Sequence, residues 1–483
     1  MSSTWSVLPL AALLLSAGCA ARGPRATVTP APAASSREAA TAATFERLRN
    51  DPVLRRVFLR DMPKGGDLHV HVSGAIYAET FARWAIDDGL CVDAARLAFT
   101  RPPCDAPLVP ASRLVTDDDL YDRIIDALSM RNWHPARNSG HSQFFDSFSK
   151  FSAATRGRMG DMLAAITSRA AAQRLSYVEL MYPVDDNVAR RMAAQVPWTG
   201  DMASMREALL AAGMREALQQ ARRTLDATEA RHRELLKCAT PQADAGCAVT
   251  VRYQLPALRA SSPGEVFTQF LSGFEMATLD SRVVAVNIAQ PEDGLVARRD
   301  FRLHMDMLDY LHAQYPRVGI ALHAGELIEG LVPPEDLRFH IRSSIERGHA
   351  RRIGHGAAVM HEDGALDLLR TMAAERILVE VALSSSDGIL GLRGAQHPLK
   401  TYLAFGVPVA LSTDDEGVSR SSITREYERA VEEHGLDYPT LKAMARASLQ
   451  YGFVEAPEKE RLLREFDAAI AVFETAWASV PRP

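Results

Sequence analysis

The sequence predicts an α/β fold, a (β/α)8 barrel of the TIM type with a helical insertion after the first strand. Three observations predict it. Eight short apolar, β-branched runs recur along the chain, segments with helical spacing of apolar residues separate them, and five of the runs end in His, Asp or Glu. The 483 residues accommodate one large domain of this kind, because such barrels take up roughly 250 residues or more once insertions are counted.

The runs are DLHVHV at 67–72, LSYVELMY at 175–182, AVTVRYQL at 248–255 and RVVAVNIA at 282–289, followed by VGIALHAGE at 318–326, RIGHG at 352–356, ILVEVALSS at 377–385 and VPVALSTDD at 407–415. Helical periodicity fills the gaps at 159–174, 205–237, 300–314, 337–347, 365–375 and 398–405. Alternation of this kind also suits a doubly wound sheet, so the count by itself leaves both architectures open. The first connection, 73–174, is too long for one helix. It is expected to carry an insertion over the barrel mouth, with helical pieces at 121–130 and 143–151.

A composition of 47% hydrophobic and 24% charged residues is that of a globular protein with a substantial core, which excludes whole-chain disorder. Lys and Arg number 55 against 60 Asp and Glu, giving a net charge of −5. Such a balance lacks the basic excess that phosphate-backbone binding needs, so a small molecule rather than nucleic acid is the expected partner. At the start of the chain, residues 1–19 hold an apolar run from Val7 to Leu15, shorter than the ~20 residues that span a bilayer. This reads as an export signal. Ser16, Ala17 and Gly18 lead to Cys19 in a pattern similar to the lipobox of bacterial lipoproteins, which implies a lipid anchor at Cys19, an envelope or periplasmic location, and otherwise plain secretion. Residues 20–44, mostly Ala, Pro, Ser, Thr and Gly, are expected to form a disordered tether, and 45–483 the barrel domain. Export would place Cys91, Cys104, Cys238 and Cys247 in an oxidising space as two sequence-local pairs, predicting Cys91–Cys104 and Cys238–Cys247 disulfides. No Cys-x-x-Cys spacing is present to suggest a thiolate zinc site.

The polar residues at the strand ends carry the functional reading. His69 and His71 are two apart, so the strand pleat turns both imidazoles to one face, where they can hold one metal ion. His323 ends the fifth run and Asp414 the eighth, bringing the donor set to three imidazoles and a carboxylate. Such N/O ligands suit Zn²⁺, and Fe²⁺, Mn²⁺ or Co²⁺ would fit them too. Asp414 and Asp415 are adjacent carboxylates, which a cation or a proton would make tolerable. Glu326 follows His323 by three residues and is a candidate for proton transfer beside a metal-activated water. His355, in RIGHG, is a candidate to orient that water or stabilise developing charge.

Together, MPKGGDLHVHVSGAI at 62–76, HAGE at 323–326, RIGHG at 352–356, HPL at 397–399 and STDD at 412–415 resemble the adenosine deaminase family of metal-dependent amidohydrolases, over roughly residues 60–427. YVELMY and AQPEDG, with the export signal, are similar to that family's secreted, growth-factor-like branch. The resemblance implies that His69, His71, His323 and Asp414 hold one zinc ion, that Glu326 shuttles the proton, that His355 positions the attacking water, and that Asp415 hydrogen-bonds the purine ring. It further implies hydrolytic deamination of adenosine or a close aminopurine nucleoside, with attack at C6, protonation of N1 and release of ammonia. His71, Ser73 and Ala289 are the other substrate-binding positions it implies. Two of these depart from the family pattern. Ser73 stands where many members have an Asp that contacts the ribose 5′-hydroxyl, and Ala289 and Gln290 stand where a glycine often offers its N–H to the purine. A different C–N bond as substrate, or a noncatalytic binding barrel, are the alternatives.

Among other stretches, Phe144, Phe145 and Phe148 at helical spacing are expected to be core rather than pocket roof. Glu179 and Glu380 interrupt apolar strands, facing either the site or a solvated lower rim. The Arg-rich stretch 342–352 with His349 is expected to be a solvated helix end.

Overall fold

The computed structural model describes residues 36–479. The export signal, Cys19 and the first part of the expected tether lie outside the described residues. Eight parallel strands follow one another around a single sheet: β1 (Gly65–His71), β2 (Leu175–Met181), β3 (Thr250–Leu258), β4 (Val283–Ala289), β5 (Gly319–Ala324), β6 (Arg352–His355), β7 (Leu378–Val381) and β8 (Val409–Leu411). Consecutive strands are neighbours throughout, which is the order of a (β/α)8 barrel and not of a doubly wound sheet. Beyond the end of β8, the chain closes the circle against β1. The Asp414 N–H donates to the His69 carbonyl at 2.9 Å and the His71 N–H donates to the Asp414 carbonyl at 3.1 Å. Asp67 reinforces this seam by accepting from the Thr413 N–H at 3.1 Å and hydroxyl at 2.6 Å.

All eight expected runs are strands, with shifted ends. The third continues to Leu258, while the seventh stops at Val381 and turns into a helix, Leu383–Leu390. The helix expected over 205–237 is two, Met202–Ala211 and Met214–Leu235, separated where Gly213 takes a left-handed φ of 90°. Part of the expected tether is ordered: Ser36–Leu48 is a helix that buries Thr41, Thr44, Phe45 and Leu48. Ala-rich composition favours helix as readily as it favours linker, and the apolar stripe finds a partner in the C-terminal helix Ala456–Ala478. Phe58, on the next helix, packs its ring 4.8 Å from Phe45 and 5.0 Å from Phe473, fastening the two chain ends together.

The 73–174 connection carries helices Asp118–Ala127 and Gly140–Phe151 near the expected positions, together with Ala78–Asp87 and a three-stranded antiparallel sheet (Cys91–Asp93, Ala98–Thr100, Val109–Pro110). That sheet escapes pattern reading because its strands are two or three residues long. Both expected disulfides are present, Cys91–Cys104 tying this sheet to the loop between its last two strands and Cys238–Cys247 before β3. No helix among the described residues is long and apolar enough to cross a membrane.

His397 gives the fold a titratable weak point. Its buried ring accepts the Leu399 N–H at Nδ1 (3.1 Å), opening the helix Leu399–Phe405. Burial, then the neighbouring His434, His355 and Arg429, push its pKa down to about 3. An unfolded His titrates near 6.5, so stability is complete above pH 6.5 and is lost as pH falls from there toward 3, by about 1.4 kcal/mol already at pH 5.5. Guanidinium unfolding midpoints at pH 7.5 and 5.5 are expected to differ less in His397→Asn, which keeps an acceptor but no titration, than in the parent protein.

Candidate metal and active centre

The strand ends place the expected donors together. The His71 Nε2 lies 3.0 Å from the His323 Nε2 and 3.3 Å from the Asp414 Oδ1, which is itself 3.4 Å from the His69 Nε2. One ligand atom from each of these four residues falls within 4.8 Å of the others. Tetrahedral donors at the ~2.0–2.1 Å of zinc–nitrogen bonds would be roughly 3.3 Å apart, so the observed edges fit one small cation. The hydrogen-bonding inventory agrees. Buried His69 Nε2 and Asp414 Oδ1 have no hydrogen-bond partner, an arrangement costly without a cation between them. The other Asp414 oxygen accepts the Ser385 hydroxyl at 2.7 Å.

Electrostatics follow the same lines. Burial lowers His71 to about 4 and His323 well below the ordinary imidazole value, keeping both rings neutral and able to ligate. His69 is raised to about 10 because, against burial, the carboxylates of Asp414 and Glu380 flank it. In other words, the pocket demands positive charge at the point where the donors meet.

Around this cluster stand the candidates for proton chemistry. The Glu326 side chain is only 9% exposed, with its Oε1 3.7 Å from the His355 Nδ1. Burial, and then the negative charges of Asp414 and Glu292, raise the Glu326 carboxyl well above its usual range, toward the protonated form. His355 is held neutral at about 3 by burial and by neighbouring His69 and His71, and neither ring nitrogen has a hydrogen-bond partner. Burial and Asp414 likewise raise Asp415. A methyl group at Gly74 would overlap the Asp415 carboxylate at 1.5 Å, so only glycine lets that side chain sit there. Gln290, His355 and Asp414 have φ of 82°, 67° and 58°, placing left-handed backbone strain at three of the strand ends that face the cavity.

The cavity above the donors holds about 560 Å³. Ser73, Ala289, Gln290, Glu326, His355 and Asp415 all line it. So do Phe144, Phe145 and Phe148, correcting the expectation that they are core only: the insertion helix Gly140–Phe151 forms the roof, and its rings pack on one another while facing the cavity. His141 on that helix pairs with Asp293 after β4 at 2.9 Å, tying roof to rim. Among the described residues, no Lys or Arg lines the cavity.

Beneath the donors lie residues that sequence reasoning left unresolved or missed. Glu380 faces the site and accepts from the His69 Nδ1 at 2.7 Å, while Glu179 is buried lower in the barrel, paired with Arg352. Neither reaches a solvated rim. Arg352 is fully buried between them, unlike its stretch-mates Arg342 and Arg347, which pair with surface carboxylates. Asn287 accepts from the His323 Nδ1 at 3.0 Å. Glu292, in the AQPEDG stretch, accepts the Gly325 and Glu326 N–H groups at 3.2 and 2.8 Å and fixes the loop carrying Glu326. Although burial opposes it, His340 and Arg259 hold Glu292 ionised at about 2. The available signal for these residues was polarity at inward positions of apolar strands.

Elemental analysis of the purified protein is expected to find about one divalent transition ion per chain. His323→Ala and Asp414→Asn are expected to lose affinity by more than the roughly 10–100-fold that removal of an outer-shell partner costs.

Comparison with known proteins is consistent with this geometry. The adenine deaminase of Sinorhizobium medicae is 31% identical over 147 residues, covering 30% of this chain and 42% of that protein. The adenosine deaminase of Escherichia coli is 36% identical over 151 residues, covering 31% and 42%. The chain thus matches less than half the length of these relatives. A zinc-bound amidohydrolase structure from Burkholderia ambifaria shares the fold at a TM-score of 0.58 and 16% identity, over 88% of this chain and 95% of that one. The family model described as "Adenosine deaminase" matches residues 117–469, beginning after the strand that bears His69 and His71, which the barrel closure then sets beside the matched residues. With most of its length covered by that model, the chain belongs to the adenosine deaminase family.

Proposed function

We propose that this protein is a zinc-dependent hydrolase that deaminates an unphosphorylated aminopurine, adenosine or a nucleoside close to it, releasing ammonia. The observation that carries the reading is the convergence, on one cavity, of a four-donor cation site with a carboxyl held toward its protonated form and an imidazole held neutral. His69, His71, His323 and Asp414 would hold the ion, which when bound would acidify a water molecule at neutral pH. Glu326 delivers a proton to the purine ring nitrogen beside the attacked carbon, so that electrons displaced by the incoming oxygen are received there. His355 accepts a hydrogen bond from the attacking water and holds its orientation. Asp415, raised toward its protonated form, donates to the ring and fixes the purine plane.

The lining selects the remainder of the substrate. With no Lys or Arg among the described residues that face the cavity, a phosphate there would be buried without a counter-charge. Ser73 and the Phe144, Phe145 and Phe148 wall favour a second, narrower reading, in which the sugar carries an apolar 5′ substituent such as a methylthio group. Export to an oxidising compartment, with a lipid anchor at Cys19, is part of the proposal and is supported by the two disulfides.

Loss of purine absorbance and ammonia release should be followed with adenosine, 2′-deoxyadenosine, adenine, methylthioadenosine and AMP. The nucleosides are expected to turn over, and AMP to be slower by about 100-fold or more, since roughly 3 kcal/mol is a modest cost for an unpaired buried charge. Glu326→Gln is expected to retain its metal and lose about 10²–10⁴-fold in turnover. No ammonia from any aminopurine would sink the reading, and parent-like turnover by the Gln variant would remove Glu326 from its role.

A further inference from the structure

We propose that Arg352 is the positioning residue that fixes the ring orientation and tautomer of two metal-binding histidines, His69 and His323, through one arm headed by an ion pair and one hydrogen-bonded arm, both crossing the barrel interior. The inference rests on the reading of the four-donor cluster as a cation site.

The first arm is short. The Arg352 Nε lies 2.6 Å from the Glu380 Oε1, and the other Glu380 oxygen lies 2.7 Å from the His69 Nδ1. A carboxylate only accepts, so the His69 proton must sit on Nδ1 and the lone pair on Nε2, facing Asp414.

A longer second arm reaches the same result through two amides whose orientation would otherwise be ambiguous. Arg352 donates from Nη1 and Nη2 to Glu179 at 3.0 and 2.6 Å. The Gln254 Nε2 lies 2.9 Å from the Glu179 Oε2 and 3.0 Å from the Leu68 carbonyl. Both are pure acceptors, so the Gln254 amide can face them only with its NH2 group. Its Oε1 is then left to accept from the Asn287 Nδ2 at 2.7 Å. Asn287 must therefore turn its oxygen toward the His323 Nδ1, 3.0 Å away, which places the His323 proton on Nδ1 and bares Nε2 toward His71. The Asn287 oxygen also accepts the Ile288 N–H at 2.7 Å, which the flipped amide could not do.

His69, Glu179, Gln254, Asn287, His323, Arg352 and Glu380 come one each from β1 to β7, and all are buried. The guanidinium holds the carboxylate at the head of each arm, and the Leu68 carbonyl and Ile288 N–H hold the two amides of the second arm in the same sense. Arg suits the task because its planar fork reaches two carboxylates and the Tyr451 carbonyl (3.1 Å) at once, while its face lies 4.0 Å over the Phe453 ring. A lysine ammonium has the charge without the fork.

Zinc affinity, measured by competition with a chromophoric chelator, tests the idea with a readout separate from turnover. In Glu380→Gln, Arg352 claims the new amide's oxygen, so the NH2 faces the His69 Nδ1 and drives that ring's proton onto the metal-facing nitrogen. Gln254→Leu cuts the second arm. Each variant is expected to bind zinc about 10–100-fold more weakly while still reaching one ion per chain at saturation. Arg352→Lys should weaken binding as well. Tyr177→Phe is the control: Tyr177 donates to the same Glu179 at 2.7 Å but belongs to neither arm, so its loss should reduce stability and leave zinc affinity within about twofold. Circular dichroism melts confirm that the variants compared are folded. Parent-like affinity in both Glu380→Gln and Gln254→Leu, or a loss in Tyr177→Phe equal to theirs, overturns the inference. A parent protein that takes up no zinc overturns the cation reading beneath it instead.

Discussion

The structure depends on a charge imbalance inside the barrel. Glu179, Glu380 and Asp414 are buried carboxylates around the donor cluster, and Arg352 is the guanidinium that faces the first two. Three negative groups against one positive leave an excess of negative charge in a low-dielectric interior, which the rise of His69 to about 10 reflects, and each uncompensated charge there is expensive. Burial keeps His71, His323 and His355 from offsetting the excess, and the same burial raises the Glu326 and Asp415 carboxyls toward their protonated forms. A divalent cation between His69, His71, His323 and Asp414 would offset that excess. That constraint explains why polar residues occupy inward positions on so many strands that are otherwise Val, Ile and Leu.

The same interior couples the seam of the barrel to the site. Asp414 is at once the bridge by which the chain after β8 closes onto β1 and a member of the donor cluster, its main chain bonded to His69 and His71. Local strain accompanies that double duty: Asp414 and His355 both hold left-handed backbone, which aims their side chains into the cavity from strands of three and four residues. Such strain persists only where surrounding bonds over-determine it. Asp67, Ser385 and the backbone seam supply that restraint.

Above the donors, chemistry and selectivity are divided between different parts of the chain. Barrel strand ends supply the charged and titratable groups, whereas the insertion after β1 supplies aromatic roof residues and, among the described residues, brings no Lys or Arg to the cavity lining. Under the proposed function, a rigid floor with a separately variable roof would let the reacting ring and the rest of the substrate be recognised by unlike forces, hydrogen bonding below and apolar contact above.

Much of this was legible in the sequence. Strand periodicity and the His, Asp and Glu residues at strand ends marked the barrel and the donor set, because covalent spacing alone puts His69 and His71 on one face and Glu326 one turn of loop beyond His323. Pairing of sequence-local cysteines was legible for the same reason. Residues whose role depends on a distant partner were not. The helix at Ser36–Leu48 exists because a stripe of Phe45 and Leu48 meets the last helix, and Phe144, Phe145 and Phe148 line a cavity because their helix folds back across the barrel mouth. Arg352 read as one arginine among several, and nothing in its own neighbourhood of the chain says that Glu179, 173 residues earlier, will meet it. The sequence determined the strands and the reactive groups they carry, since those follow from local pattern; tertiary structure alone decided which buried charges neutralise which, because only closure of the barrel brings seven strands to one interior.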